Sequence, residues 1–229
     1  MNIAIIPARS KSKRIKNKNI KLFNGKPIIY WSIKAALKSK IFDRVIVSTD
    51  SEKIKKIAIN CGAEVPFLRP KKYSGDFITT REVIKHALKL FNKSLKINCF
   101  ACIYPTAAIL NYKDLVYAYR KFISNKKKSY LFSAIKYSYP VQRSFFFKNK
   151  KISTLFKNQY KKRSQDLDPV YHDAGQYYFF TREMIKKNNN IFSKNAYPVV
   201  LDELNCQDID TLEDWKIAEL KFKLRNKIG

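Results

Sequence analysis

The chain contains 229 residues, 45% of them hydrophobic, and carries a formal net charge of +29 at pH 7. This length and apolar content provide for one large α/β domain with a substantial core. The sequence has no run of about 18 apolar residues, and its opening apolar run is too short for a signal peptide. We therefore expect a cytoplasmic protein without a membrane-spanning helix.

The excess of positive charge suggests a nucleic-acid partner only where lysines and arginines cluster. Here they are spread through every segment, and the compact runs outside the opening loop are 126–128 and 161–163. We interpret most of the charge as solvated surface that attracts anions, and we expect no nucleic-acid partner.

Four cysteines are present, and Cys99 and Cys102 have the Cys-x-x-Cys spacing. Because there is no second pair, a zinc or redox site has weak support. The surrounding letters CFACIY favour a buried strand in which cysteine acts as a small hydrophobic residue.

Short apolar runs that alternate with amphipathic stretches predict a mostly parallel sheet covered by helices on both faces. Capping boxes, in which a side chain satisfies a free backbone amide at a helix start, are predicted at Thr79 with Glu82 and at Thr211 with Asp214. The predicted strands are Asn2–Ile6, Arg44–Thr49, Cys99–Tyr104, Ser129–Tyr137, Gly175–Thr181 and Tyr197–Asp202. The predicted helices are Pro27–Lys38, Ser51–Asn60, Thr80–Phe91, Tyr112–Ser124 and Leu212–Leu224.

The alternation of strands and helices is interrupted between about Tyr139 and His172. This segment contains FFFKNKKI, which predicts a β-hairpin, followed by the polar stretch KNQYKKRSQDLDP. An insertion of this kind in an α/β domain usually serves a binding site or a partner surface. We expect a single domain over residues 1–229, with this inserted segment at about 139–172.

The opening stretch, MNIAIIPARSKSKRIKNKNI, places six cations in the ten positions from Arg9 to Lys18, directly after the first strand. In an open α/β sheet, ligands bind at the carboxyl ends of strands, where loops hold phosphates with backbone amides and fixed cations. Arg9, Lys13, Arg14 and Lys18 are candidates for those cations; the alternative is a solvated basic loop. The stretch is neither a Walker A motif nor a dinucleotide fingerprint, because its first glycine is Gly25.

Near the end of the chain, CQDIDTLEDW places Asp208 and Asp210 two residues apart, so both carboxylates point to one side of an extended backbone. Mg²⁺ prefers one or two carboxylates together with water and substrate phosphates, so this pair is a candidate magnesium site. The alternative is that one of the two aspartates caps the following helix.

Two further stretches gather polar side chains. SYPVQR contains Gln142 and Arg143, whose amide and guanidinium donors suit a carboxylate or hydroxyls. His172 is a candidate general base, although a single histidine beside aromatic residues is more often a hydrogen-bonded structural residue. The stretch RSQDLDPVYHDAGQYYFF places five candidate residues around a loop that enters a strand: Arg163, Gln165, His172, Asp173 and Gln176.

Taken together and in this order, these stretches resemble the cytidylyltransferases that activate nine-carbon acidic sugars, the CMP-sialic acid synthetase family. The resemblance covers nearly the whole chain and includes IIPARSKSKRIKNKNIKLFNGKPIIYWSI, VIVSTDSEKI, GAEVPFLRP, YPTAAIL, SYPVQR, RSQDLDPVYHDAGQYYF and DIDTLEDW. Sialic acid enzymes usually have glutamine before the Pro-Thr pair and arginine at the end of that loop, where this chain has Tyr104 and Leu110. YPTA, SYPVQR and YHDAGQYY are similar instead to the pseudaminic acid cytidylyltransferase branch.

The resemblance implies a Rossmann-like nucleotidyltransferase fold, a homodimer formed through the inserted segment, and Mg²⁺-dependent transfer of CMP from CTP to the anomeric hydroxyl of a nonulosonic acid, here pseudaminic acid. It implies catalytic roles for Arg9, Lys18, Asp208 and Asp210, the two aspartates being the Mg²⁺ ligands. It implies nucleotide binding by Arg9, Ser12, Lys13, Lys18, Asn19, Arg69 and Thr80, with Arg69 and Thr80 near the cytidine. It implies a sugar pocket lined by Tyr104, Gln142, Arg143, Arg163, Gln165, Asp173 and Gln176. Of these residues, Gln142 and Arg143 are candidates to reach across the dimer into the pocket of the partner.

One departure from the family lies in the opening loop, where Ser10 and Lys11 replace the two glycines of Arg-Gly-Gly-Ser-Lys. Glycine permits positive φ and close approach of the backbone to phosphate. Two outcomes are open: a strained or mobile loop, or an ordinary conformation in which the Lys11 ammonium replaces lost amide contacts, which we favour. The alternatives to a pseudaminic acid enzyme are a CMP-sialic or CMP-legionaminic acid synthetase, and a catalytically weakened sugar-nucleotide-binding homologue.

Overall fold

A computed structural model describes residues 1–89, 91, 96–125, 130–186 and 196–228 of the chain. The strands are β1 (Asn2–Pro7), β2 (Leu22–Phe23), β3 (Lys26–Pro27), β4 (Arg44–Ser48), β5 (Cys99–Ile103), β6 (Leu131–Lys136), β7 (Phe145–Lys148), β8 (Lys151–Thr154), β9 (Tyr171–Phe180) and β10 (Tyr197–Val200). The α-helices are α1 (Ile28–Ser39), α2 (Glu52–Asn60), α3 (Thr80–Leu88), α4 (Tyr112–Ser124), α5 (Arg182–Lys186) and α6 (Leu212–Ile228).

Six strands form the central sheet in the order β10-β6-β9-β5-β1-β4. β1 pairs in parallel with β4 and β5, and β6 pairs in parallel with β10. β9 runs antiparallel to both of its neighbours, β5 and β6. Five strands therefore end at the same edge of the sheet, and β9 begins there. The mostly parallel α/β fold is confirmed.

Both faces of strand β1 are covered, as the sequence predicts. Ile3, Ala4, Ile5 and Ile6 of β1 alternate between the two faces, and all four are fully buried. An uninterrupted apolar strand of this kind is typical of a parallel sheet with helices on both sides. A second apolar cluster joins α6 to the β2–β3 hairpin, where the Trp215 and Phe222 rings pack edge-on against Phe23.

The predicted elements are found with shifted ends. Helix α3 ends at Leu88 instead of Phe91, α6 continues past Leu224 to Ile228, and β9 begins at Tyr171 instead of Gly175. β9 begins earlier because its polar first residues pair with β6, with Asp173 opposite Ala134. The predicted strand start at Ser129 and the lysine run 126–128 lie outside the described residues. The β2–β3 hairpin and α5 were not predicted.

Both predicted capping boxes are present. Thr79 and Glu82 exchange hydrogen bonds at the start of α3. At the start of α6, the Asp214 carboxylate accepts from the Thr211 amide at 2.7 Å, and the Asp214 amide donates to the Thr211 hydroxyl. These bonds satisfy backbone amides that have no partner inside the helix.

The inserted segment contains the predicted hairpin as a separate two-stranded sheet, β7–β8. All of its strand residues except the half-buried Thr154 are exposed in the single chain, and Phe147 is 72% exposed. The four cysteines are buried as free thiols, as the apolar surroundings of Cys99 and Cys102 predict. None of the helices described here is both long and apolar enough to cross a membrane.

Candidate active site

A cavity of about 670 Å³ opens beside the carboxyl end of β1. Its walls are the loop after β1, the segment from Arg69 to Val83 and the turn after β5. This is the edge of the sheet at which the sequence predicts a ligand. All the predicted nucleotide-binding residues line the cavity together with Tyr104: Arg9, Ser12, Lys13, Lys18, Asn19, Arg69 and Thr80.

The loop after β1 is fastened to the fold at several points. Ile15 is buried in the cluster that contains α6, and the buried Asn19 side chain donates to the carbonyl of Arg9 at 2.9 Å. The amide and hydroxyl of Ser10 donate to the two carboxylate oxygens of Asp50 at 2.7 and 2.8 Å. Asp50 follows β4, so the neighbouring strand holds the loop in place.

Ser10 and Lys11 do not have positive φ, whereas Asn17 in the same loop does, with φ of 55°. The loop has therefore taken an ordinary backbone conformation at the two positions where the family has glycine. No backbone strain arises there, because strain is expected only when a non-glycine residue is held in the left-handed region.

The cations of the loop form ion pairs with two aspartates. Arg9 lies 2.8 Å from one carboxylate oxygen of Asp76, and Lys13 lies 2.7 Å from the other. These contacts hold the pKa of Asp76 below its usual range, and the Lys13 ammonium has a larger effect than the Arg9 guanidinium.

The second pair of cations contacts the predicted metal-binding stretch. Arg14 lies 2.7 Å from Oδ1 of Asp210, and Lys18 Nζ lies 3.5 Å from the same oxygen. Lys18 also donates to the carbonyl of Ile209 at 2.6 Å. The two ends of the chain thus meet at one edge of the cavity.

The opposite wall is built around Arg69. This side chain is 4% exposed, its backbone amide donates to Thr49, and its Nε donates to the Ser74 hydroxyl at 3.2 Å. Burial lowers the pKa of the Arg69 guanidinium. Beside it, the Thr80 and Tyr104 hydroxyls lie 3.3 Å apart and share a hydrogen bond. A buried cation and two hydroxyls therefore line this wall.

Asp208 and Asp210 flank Ile209, which is buried in the cluster that contains α6. This alternation leaves both carboxylates on the outer side of the backbone, as predicted. A Cβ at Gly175, where φ is +60°, would lie 3.6 Å from Cγ of Asp208, so Asp208 lies against β9. Desolvation, and then the charge of Asp210, raise the pKa of Asp208.

This donor set fits a hard divalent cation that takes further oxygens from its substrate. Two neighbouring carboxylates, of which Asp208 has a raised pKa, gain from a positive ion between them. Among the described residues, no group of three or more His, Cys, Asp or Glu side chains is placed to hold a metal. The remaining ligands would therefore have to be phosphate oxygens and water.

Asp173 and Gln176 lie at the beginning of β9. Asp173 accepts hydrogen bonds from the Tyr178 hydroxyl at 2.6 Å and from the Gly175 amide at 2.9 Å. Gln176 is buried, and its amide nitrogen donates to the Ala174 carbonyl at 2.7 Å. Its buried Oε1 has no hydrogen-bond partner in the part of the chain that is described, so it remains available as an acceptor.

Neither Asp173 nor Gln176 is among the residues that line the cavity, and the same is true of the predicted sugar-pocket residues that lie in the inserted segment. They make local contacts: Gln142 donates to the Asp168 carbonyl and Arg143 to the Lys162 carbonyl, Arg163 pairs with Asp166, and Gln165 is exposed. His172 is also exposed, and its ring lies against Tyr137. These contacts favour the structural interpretation of His172.

Sequence reasoning missed two carboxylates of the site, Asp50 and Asp76. Asp50 directly follows the predicted strand that neighbours β1, so its position at the strand end was a usable signal. Asp76 lies in a turn between a short 3₁₀ helix and α3, and no local pattern distinguishes it from a solvated loop residue.

Comparison with known proteins places this site in a family. The family model described as Cytidylyltransferase matches residues 3–216. Together with the fold and the cavity of cations at the strand ends, this defines the class of protein as a CTP-dependent nucleotidyltransferase. The chain belongs to the cytidylyltransferase family, and the predicted family is confirmed.

Three curated relatives extend the comparison. The pseudaminic acid cytidylyltransferase of Campylobacter jejuni is 40% identical, over 99% of this chain and 98% of its own. The CMP-N,N'-diacetyllegionaminic acid synthase of the same species is 32% identical, over 98% and 96%. The N-acylneuraminate cytidylyltransferase of Escherichia coli is 30% identical, over 94% of this chain and 51% of its own.

Among solved structures, CMP:2-keto-3-deoxy-manno-octonic acid synthetase complexed with CTP superposes with a TM-score of 0.71. The match covers 98% of this chain and 99% of that one at 12% identity. At this identity the likeness shows the fold alone, and that fold is the predicted nucleotidyltransferase fold.

Proposed function

We propose that this protein transfers CMP from CTP to the anomeric hydroxyl of pseudaminic acid and releases pyrophosphate. The observation that carries the proposal is the 40% sequence identity to pseudaminic acid cytidylyltransferases over nearly the whole chain. This identity is higher than the 32% and 30% found with the legionaminic acid and N-acylneuraminate enzymes. The cavity supports it, because four cations of one loop converge on two aspartates at the edge of the sheet.

The reaction forms a bond between the sugar oxygen and the α-phosphorus and breaks the bond from that phosphorus to the bridging oxygen of the β-phosphate. The anomeric hydroxyl gives up its proton in the same reaction. Negative charge develops on the leaving pyrophosphate, so fixed cations in a partly desolvated site lower the barrier. We assign Arg9, Lys13 and Lys18 to this task. Arg69 and Thr80, with Ser12 and Asn19 in the facing loop, hold the rest of the nucleotide.

Asp208 and Asp210 are proposed to hold Mg²⁺, which would neutralise charge on the phosphates during transfer. The proposal is supported by the neighbouring carboxylates, the raised pKa of Asp208 and the contact of Lys18 with the same stretch. Without the metal, Arg14 and Lys18 balance part of the charge of Asp210.

We further propose that the protein acts as a homodimer formed through the segment at about 139–172. The β7–β8 hairpin presents apolar side chains to solvent, among them Phe145, Phe146, Phe147 and Ile152. Exposed apolar patches of this kind usually mark protein interfaces. The predicted sugar residues Gln142, Arg143, Arg163 and Gln165 lie in the same segment, so dimer formation offers a way for them to reach a cavity that they do not line in one chain.

The proposal is tested by supplying CTP, Mg²⁺ and a panel of nonulosonic acids to the purified protein and measuring pyrophosphate release. Release should require both the metal and a sugar, with pseudaminic acid the best substrate. A preference for sialic or legionaminic acid would contradict the sugar assignment. Absence of turnover with every sugar, despite CTP binding, would favour the weakened homologue.

A further inference from the structure

Asp76 lies in the wall of the cavity and contacts two of the loop cations. Its Oδ1 is 2.8 Å from Nη1 of Arg9, and its Oδ2 is 2.7 Å from Nζ of Lys13. Each carboxylate oxygen thus forms an ion pair with a different cation. A phosphate oxygen that approached either cation would meet a negative charge already in that position.

The segment that carries Asp76 is anchored at both ends but not at Asp76 itself. At one end the Ser74 hydroxyl accepts from Arg69, and at the other Thr79 caps α3. Between them, Asp76 is exposed and the next side chain, Phe77, is 97% exposed. The position of the carboxylate therefore depends on its two ion pairs and not on packing.

Two other cations of the loop also share one aspartate. Arg14 and Lys18 share Asp210, just as Arg9 and Lys13 share Asp76. Asp210 is assigned a metal ion when substrate is bound, which would compensate for its charge. Asp76 lies outside that stretch, so a bound triphosphate would leave its charge facing the phosphates.

We propose that Asp76 is an internal competitor of the triphosphate, which occupies Arg9 and Lys13 in the empty site and is displaced when phosphate binds. The choice of a nucleoside triphosphate as the displacing ligand rests on the proposed function. Exposed ion pairs are weak, so the competition should lower affinity by about three- to tenfold and not by orders of magnitude. The same carboxylate would recapture both cations as pyrophosphate leaves, which speeds product release.

The test measures binding of CTP, pyrophosphate and cytidine by calorimetry at fixed ionic strength. Asp76→Asn should bind CTP and pyrophosphate about three- to tenfold more tightly than the wild type, with cytidine affinity unchanged. Asp76→Glu keeps a charge at this place and should bind pyrophosphate like the wild type. Glu64→Gln is the matched control, because it removes one negative charge from an ion pair with Arg44, and neither residue lines the cavity.

Unchanged or weaker pyrophosphate binding by Asp76→Asn would overturn the proposal. Equal tightening of cytidine would also overturn it, since a merely structural change of the cavity would affect the nucleoside as well. If the wild type binds pyrophosphate but not CTP, the proposed function fails while the pyrophosphate comparison still tests Asp76. A wild type that binds neither would contradict both.

Discussion

Lys18 and Asp210 are 192 residues apart in the chain, yet the Lys18 ammonium lies 3.5 Å from the Asp210 carboxylate. The same ammonium donates to the carbonyl of Ile209 at 2.6 Å. This relationship joins the basic loop after the first strand to the paired aspartates before the last helix. Residues assigned to phosphate and residues assigned to metal therefore share one edge of the sheet.

The paired aspartates are expected to be essential for turnover. Asp208→Asn or Asp210→Asn should each reduce the rate of pyrophosphate release at least about a hundredfold, the scale of losing one strong electrostatic contact in a transition state. Steady-state kinetics measures the effect, and circular dichroism checks the fold. Glu213→Gln, an exposed carboxylate in the first turn of α6, is the control. Near-normal turnover of either aspartate variant at low Mg²⁺ would place the metal elsewhere.

Binding of Mg²⁺ should be detectable from the melting temperature, which does not depend on turnover. Mg²⁺ should raise the melting temperature of the wild type, because a ligand that binds the folded state stabilises it. The double variant Asp208→Asn, Asp210→Asn should show little or no shift. A chelator should abolish pyrophosphate release and return the wild-type melting temperature to its metal-free value. An equal Mg²⁺ shift in the double variant would contradict the site.

Replacing Ser10 and Lys11 in the opening loop by the glycines of the family is expected to change CTP binding. Ser10 and Lys11 have ordinary φ, and Ser10 is bonded to Asp50. We expect Ser10→Gly with Lys11→Gly to weaken CTP binding and to flatten its salt dependence, because a cation screened by salt has been removed. Calorimetry at several salt concentrations measures both. Tighter CTP binding would show instead that the two side chains prevent a better backbone conformation.

The capping box at α3 predicts a pH-dependent contribution to stability. Hydrogen bonds from the Thr79 amide and then the Thr79 hydroxyl lower the pKa of Glu82. The folded state thus favours the ionised form, so the stabilisation is present above the ordinary glutamate pKa and is lost as pH falls through the lower folded value. Glu82→Gln should lower the melting temperature at neutral pH, and the difference should disappear in acid. A difference that persists in acid would exclude the ionised carboxylate as its cause.

Thr79→Ala removes the other half of the same capping box. It should lower the free energy of unfolding by about 1 kcal/mol, the usual effect of losing a helix cap. Denaturant unfolding measures this change. A change well below that value would show that water replaces the cap at little cost.

The hairpin is expected to control the oligomeric state. Wild-type protein should be a dimer by light scattering at micromolar concentration, and Phe147→Asp on β7 should shift it towards monomer, because a buried charge at an interface is unfavourable. Phe77→Asp introduces the same charge at an even more exposed aromatic residue outside the hairpin and should remain dimeric. A monomeric wild type would contradict the proposed dimer.

Much of the site could be predicted because its signals are local. The cations between Arg9 and Lys18 follow an apolar strand directly, and Asp208 and Asp210 alternate with the buried Ile209. Strand periodicity and the rule that ligands bind at strand ends need no knowledge of distant residues. The β2–β3 hairpin also had a local signal, the turn dipeptide Asn24-Gly25, and both residues have the positive φ that such a turn requires.

By itself, the sequence determined the order of the strands and helices other than β2, β3 and α5, the sheet edge at which ligand-binding residues collect, and the family. The first two follow from apolar periodicity, capping and turn chemistry, which act over a few residues, and the family follows from the resemblance of the quoted motifs. Tertiary structure alone decided that β9 runs antiparallel between β5 and β6, that Asp50 holds Ser10, and that Asp76 pairs with Arg9 and Lys13. An ion pair between residues 67 positions apart depends on how the intervening strands and helices pack, and no local pattern of charges specifies which carboxylate meets which cation.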